Sequence, residues 1–202
     1  REKETGIVTR SANTPRYLEF DKSGEMVSDD GRLMNYCKPP EFYIDWSEEA
    51  VAFFAANNGL RNKHRYFQPG ITYSVPGVYA PTFRVGCGQV FGQKGATIFC
   101  ELLPQFDLLG QLCSRKCRFL IKNFLSHGVD ATDSVIEQTP LLINPIEGLP
   151  PLTEQIVTHL RSDPLYDYAL NEPLEIDRLV YAAYGLNEAD IREVQDRYAR
   201  AD

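Results

Sequence analysis

Long apolar runs are missing from this 202-residue chain. No stretch reaches the roughly 18 apolar residues that a membrane-spanning helix needs, and no signal peptide is visible. Cysteine is scarce: Cys37, Cys87, Cys100, Cys113 and Cys117 make an odd number without framework spacing. That argues against a disulfide-stapled secreted domain and for reduced thiols in a cytosol. Histidine is scarcer still, with His64, His127 and His159 far apart. A structural zinc site needs four ligands in paired spacing, and "CSRKC" at 113–117 is a lone pair on an apolar stripe. Core thiols are the better reading, and no metal is expected. The glycines of "GCGQVFG" and "GQKGA" do not form a phosphate loop, because no G-x-x-x-x-G-K-[ST] is present. The flanks of Cys87 match no thiol-enzyme signature, so no nucleophilic centre is marked. Internal repeats and low-complexity tracts are absent.

What is there is a globular composition, 43% hydrophobic and 24% charged, on a chain long enough to bury a core without staples. The chain begins at Arg1 rather than Met, so the expectation is a piece of a longer protein.

The formal net charge is -7, but it is unevenly spread. Residues 61–122 hold nine Lys and Arg against only Glu101 and Asp107, while the acids collect in 1–60 and 146–202. Screening acts beyond roughly 8–10 Å, so a polyanion meets the local charge rather than the total.

Local patterns order the chain. Residues 1–40 read as polar and irregular, with "NTPR", "DKSGEMVSDDGR" and "KPP" as loop signals. "EFYIDW" (41–46) is a short strand, and "SEEAVAFFAANNG" a helix with Ser47 as N-cap and a stop at Asn57-Asn58-Gly59. From 65 to 100, "YFQPGITYS", "VYAPTFRV", "GQVFG" and "GATIFC" are short aromatic and β-branched runs punctuated by Gly and Pro, hence strands. Pro69 and Pro81 suggest edges or bulges. "GQKG" fits a tight turn that projects Lys94, which is either solvated or a contact.

Residues 107–126 predict one helix. Leu109, Leu112, Cys113, Cys117, Leu120 and Phe124 share a face, with Arg115, Arg118 and Lys122 opposite. "TPLLINPIEGLPPL" reads as a buried strand entering a Pro-rich connection. Three helices follow: "LTEQIVTHL" burying Ile156, Val157 and Leu160; "PLEIDRLVYAAYG" opening at Pro173 and closing at Gly185; and "NEADIREVQDRYA" capped by Asn187.

Arg61, Lys63, His64, Arg65, Arg84, Lys94, Arg115, Lys116, Arg118 and Lys122 are interleaved with Tyr66, Phe67, Tyr73, Tyr79 and Phe83. Lys and Arg neutralise phosphates, and Arg also reads base edges. The bland alternative is that the aromatics are core and the charges solvated.

"NKHRYFQPGITYSVPGVYAPTFRVGCGQVFGQKGATIF" (62–99) resembles the target-recognition region of the large adenine-specific DNA methyltransferases, which include single-chain type IIG restriction–methylases and the methylase of BREX phage defence. The matching positions are Arg65, Tyr66 and Phe67, then Pro69 to Tyr73, Thr82-Phe83-Arg84, and Phe91 through Phe99. "LLGQLCSRK" (108–116) is similar to the family's recrossing helix, with Cys113 where the family usually has Asn. "EPLEIDRLVYAAYGLNEADIREV" looks like the family's closing segment. The resemblance runs from about residue 40 to the end. It implies a prokaryotic cytoplasmic protein acting on double-stranded DNA beside the catalytic methyltransferase domain of the same parent chain.

The family's S-adenosylmethionine motif and N-P-P-[YF] loop are not found here. "NPIEG" (144–148) lacks the second Pro and the aromatic ring that stacks on a flipped adenine. No cofactor is therefore expected in this piece, S-adenosylmethionine in the parent, and no catalysis by the piece alone.

The expected fold is α+β: a small, twisted, mainly antiparallel sheet with packed helices over 1–145, plus an acidic helical extension over 146–202. Arg61, Lys63, His64 and Arg65, with Arg84 and Lys94, are the candidate DNA contacts, and Arg115, Arg118 and Lys122 the phosphate holders. Tyr66, Phe67, Ile71 and Tyr73 are the expected anchors. The alternative is a protein-interaction module making subunit contacts.

Overall fold

Two small sheets and a set of short helices make an α+β fold in the computed structural model. It describes residues 7–8, 16–21, 34–38, 42–57, 59–75, 81–86, 90–92, 95–126, 128, 130–168 and 172–198.

The first sheet has the order β1 (Ile7–Val8), β3 (Tyr43–Asp45), β2 (Tyr17–Asp21), β6 (Val90–Phe91). Its pairs are antiparallel except β2 with β6, where Phe20 lies beside Val90 in parallel. Strand β2 falls in the segment expected to be irregular. "YLEFD" carries too much charge to stand out locally. Pairing with β3 and β6 and the packing of Leu18 and Phe20 against Ile44, Tyr66 and Val90 make it a strand. Arg16 closes this edge by donating from Nε to both Asp45 carboxylate oxygens at 3.0 Å, which helps hold the Asp45 carboxyl down to about 2.

The second sheet has the order β5 (Phe83–Val85), β4 (Ile71–Ser74), β7 (Gly95–Ile98), all antiparallel. Side chains alternate across a sheet. Ile71 therefore shares a face with Val85 and Ile98, and Tyr73 with Phe83 and Ala96. That face joins the main core. Pro69 and Pro81 flank the strands rather than sit within them. Gly70 allows β7 to close in, since a Cβ there would lie 2.6 Å from Thr97 Cγ2. Tyr36 adds to β5: its N–H donates to Phe83 O at 2.8 Å and its carbonyl accepts from Val85 N–H at 2.9 Å.

Helix α1 (Glu48–Ala56) begins and ends as its sequence predicts, with Ser47 Oγ accepting from Ala50 N–H at 3.4 Å and Asn57 as C-cap. The single helix expected over 107–126 is instead α2 (Gln105–Cys113), α3 (Arg115–Leu120) and a wide π turn at Ile121–Leu125. Ser114, at ψ 151, breaks it. Its Oγ accepts from Cys117 N–H at 3.2 Å and donates to Gln111 O at 2.7 Å. A periodicity counted straight through that break misplaces Phe124 and Arg118, although Cys117 is buried as expected. Phe124, expected inside, is 60% exposed, while Arg118, expected outside, is 6% exposed. Ser114→Ala should cost about 1–2 kcal/mol, seen as a lower urea midpoint. A midpoint equal to wild type would show that the cap does not hold the break.

Helix α4 (Asp133–Glu137) leads to an irregular segment at 139–148, where a buried strand is expected from the sequence. Pro140 and Pro145 remove two ladder donors, and side chains bond the backbone instead. Ile146 N–H donates to Asp107 Oδ2 at 2.7 Å, Leu142 N–H to Gln111 Oε1 at 3.0 Å, and Lys116 Nζ to Pro140 O at 3.0 Å.

Helices α5 (Leu149–Ser162), α6 (Glu172–Ala183) and α7 (Glu188–Tyr198) follow. Gly185 (φ 65) ends α6, and Asn187 Oδ1 caps α7 by accepting from Ala189 N–H at 2.8 Å. Ile156, Val157, Leu160, Ile176 and Val180 are buried with Leu109, Leu112, Ile71 and Phe83 in one core. The core thus runs continuously across the 145/146 boundary expected between domain and extension. Gly110 makes that contact close: a Cβ there would lie 2.6 Å from Thr153 Oγ1 and 2.8 Å from Leu149 Cδ1.

Candidate nucleic-acid interface

Tyr66 plants the basic loop. Its ring is 5% exposed and packs edge-on against Trp46 and Phe91, with centroids 6.0 and 5.0 Å away. On either side, Asn62 (φ 52) and Phe67 (φ 64) take left-handed backbone. Asn adopts this conformation readily, whereas Phe does so only when its surroundings hold it. Between them Lys63–Arg65 form one 3₁₀ turn. Arg61, Lys63 and His64 are exposed, and Arg65 is half-buried. Arg65 lies over the Phe99 ring, 5.2 Å from its centroid, and its Nη1 donates to Gln68 Oε1 at 3.4 Å. Phe67, expected as an anchor, is 53% exposed and meets Trp46 and Tyr66 edge-on. Tyr66, Ile71 and Tyr73 are buried as expected.

Beside this loop opens a cleft of about 1070 Å³. Its lining includes Arg61, His64 and Arg65 of the loop, the rings of Phe91 and Phe99, and Asp133 and Glu137 of α4. Tyr73 Oη donates to Asp133 Oδ1 at 2.5 Å, which ties α4 to the central strand of the second sheet. Burial and that carboxylate both push the Tyr73 phenol up. Asp133 and Glu137 escape a reading of the sequence because they lie about 70 positions beyond the loop and belong to no motif. Nothing local signals that they meet it.

The other candidate contacts are placed differently. Arg84 is 3% exposed, and its Nη2 lies 3.3 Å from Asp21 Oδ1 at the end of β2. It joins the two sheets and does not face solvent. Arg118 is buried, a correction that follows from the break at Ser114. Arg115 is about 31% exposed and pairs with buried Asp177, Nε to Oδ2 at 3.3 Å. Lys122 is half-buried and donates to Gly128 O at 3.3 Å. Burial, helped by Arg118, pulls its ammonium down. Buried Lys116, held down to about 8 by burial, sits 3.4 Å over the Tyr184 ring. Lys94, Tyr79 and Cys87 lie outside the described residues. The structure thus gathers Arg61, Lys63, His64 and Arg65 and disperses Arg84, Arg115, Arg118 and Lys122.

Asp177 also caps α3, with Oδ1 accepting from Arg115 N–H at 2.8 Å. Burial nevertheless wins over that bond and the guanidinium, and raises its carboxyl to about 6. A raised folded value stabilises fully below the unfolded value of about 4 and is lost as pH rises through about 6. Stability should therefore fall by roughly 1–3 kcal/mol between pH 4 and 7 on account of this group. Asp177→Asn should flatten that fall in thermal melts taken across the range. An unchanged pH profile would rule out Asp177 as the source.

No family model and no curated protein sequence matches this chain. Among the described residues, no helix is long and apolar enough to cross a membrane. No group of three or more His, Cys, Asp or Glu among them is arranged to hold a metal ion.

Proposed function

We propose that this chain is the DNA target-recognition part of an adenine-specific DNA methyltransferase from a prokaryotic restriction or phage-defence system. The observation that carries the reading is the loop at 61–65. It is a planted turn that carries Arg61, Lys63, His64 and Arg65 and lines a large cleft with three of them, Arg61, His64 and Arg65, in a stretch of sequence, 61–100, without an acid. Such a turn supplies phosphate contacts, and Arg in it can reach base edges. The resemblance of 62–99 and 172–194 to that family points the same way.

S-adenosylmethionine and the methyl transfer belong to the catalytic part of the parent. The residues here do not fit that role. In "NPIEG" Ile146 is buried, and its N–H is spent on Asp107 Oδ2, so this turn braces α2 rather than forming a base pocket.

Among the described candidate contacts only Arg61, Lys63 and His64 are exposed, so duplex binding by the chain should be weak and salt-sensitive. The logarithm of affinity should fall against the logarithm of salt with a slope of about -2 to -4. Arg61→Ala with Arg65→Ala should reduce that slope by about 2, at roughly 0.9 for each phosphate no longer neutralised. Fluorescence anisotropy with a short duplex from 20 mM salt upward reads both, the range being about that over which counterion release dominates. A flat salt response, or a double variant with the parental slope, would overturn the assignment.

The second reading, a subunit-contact module, is favoured by Leu102, Phe124, Ile143 and Leu165, which stand 60–77% exposed. They are spread over separate segments rather than gathered by sequence into one element.

A further inference from the structure

We propose that the cleft beside the basic loop holds a single unstacked nucleotide whose base carries an exocyclic amine. This rests on the DNA-binding reading of the same loop and extends it from phosphate contact to base contact.

The lining differs in charge from one segment to the other. The loop brings Arg61, His64 and Arg65, and α4 brings Asp133 and Glu137. An anionic phosphate is drawn to the first and repelled by the second, so a ligand with one phosphate has one favoured direction. In the same lining Arg65 makes a cation–π pair with Phe99, 5.2 Å from its centroid, and the Phe91 ring lies 6.0 Å from that of Phe99. Guanidinium planes and aromatic rings are the surfaces on which unstacked bases lie. The volume, about 1070 Å³, is ample for a nucleotide with its water.

The base edge then faces the acids. A carboxylate only accepts hydrogen bonds. It therefore favours the amines of adenine, cytosine or guanine and opposes the two carbonyls of thymine. Tyr73 Oη, donating to Asp133 Oδ1, holds one acid in place. That leaves Glu137, exposed at the end of α4, as the carboxylate that meets the base amine.

Two sources share this chemistry: a free mononucleotide and a nucleotide unstacked from a strand. Calorimetric titration of the 202-residue chain with AMP, CMP and TMP tests the chemistry. AMP and CMP should bind at least about tenfold more tightly than TMP, the size expected for one satisfied polar contact. Glu137→Gln, an exposed and nearly isosteric change, should bring AMP and TMP to within about twofold, because the amide both donates and accepts. Equal binding of AMP and TMP by wild type, a preference that survives Glu137→Gln, or no binding at millimolar nucleotide would each overturn the proposal.

Duplexes with one bulged adenine or one bulged thymine distinguish the sources, with the bulged adenine expected to bind more tightly. Discrimination among mononucleotides without discrimination between bulges would overturn the strand source and leave a mononucleotide site. A perfect duplex bound with steep salt dependence, beside AMP and TMP bound alike, would sink the cleft proposal alone. Discrimination by the cleft with no duplex binding at low salt would sink the DNA-binding reading alone.

Discussion

Arg84→Ala is expected to destabilise the fold by roughly 3–5 kcal/mol, the cost of leaving one member of a buried ion pair alone. Arg84 is almost fully buried, with its Nη2 3.3 Å from Asp21 Oδ1. Asp21 sits at the end of β2 in the first sheet, and Arg84 in β5 of the second. Truncation strands a half-buried carboxylate and empties the space of a long side chain between the sheets. Gly95 shows how tight this junction is, because a Cβ there would lie 2.4 Å from the Asp21 carbonyl oxygen. Urea denaturation measures the loss. Pairing Arg84→Met with Asp21→Asn should recover much of it, since both charges then leave together. Were Arg84→Ala to keep the wild-type midpoint while weakening duplex binding, Arg84 would be a DNA contact after all.

Asp107→Ala should cost about 3 kcal/mol, from an inward-facing donor left without its acceptor. Asp107 is fully buried and joins two elements far apart in sequence. It accepts from Ile146 N–H at 2.7 Å and from Gln111 Nε2 at 2.6 Å. The same Gln111 accepts from Leu142 N–H and donates to Leu142 O at 3.1 Å. This network replaces the strand pairing that 139–148 lacks. The expected signature is local as well as global: amide exchange at Leu142 and Ile146 should speed up more than at Val157 in α5. Asp107→Asn, which keeps one acceptor, should lose less than half as much. Uniform acceleration across the chain would mean that Asp107 stabilises the core generally and does not pin this segment.

Legibility follows the range of the interactions involved. The α1 cap at Ser47, the close of α6 at Gly185 and the Asn187 cap are contacts within a few residues, and each is visible as a short string of letters. So are the strand runs from 71 to 98, because β-branched and aromatic residues between Gly and Pro leave few other options. Ser114 is the costly exception. Serine interrupts a helix only where its hydroxyl has a turn to cap, and both possibilities share one spelling. From that residue onward, inside and outside are exchanged for Arg118 and Phe124. Strand β2 and the irregular 139–148 depart from expectation for a related reason, since each takes its form from partners distant in the chain.

The candidate site divides the same way. Residues 61–65 are identifiable because charge accumulates there in consecutive letters and an aromatic residue follows to anchor them. By itself, then, the sequence determined the α+β class, the ends of α1, α6 and α7 and the position of the basic loop. Only the tertiary structure decided which cations face solvent, that the C-terminal helices complete the main core, and that Asp133 and Glu137 share a cleft with Arg61 and Arg65. The physical reason is that capping and propensity act over a turn or two of chain. The burial of a charge depends on what folds over it, and Asp21 and Asp177 reach Arg84 and Arg115 from about 60 residues away.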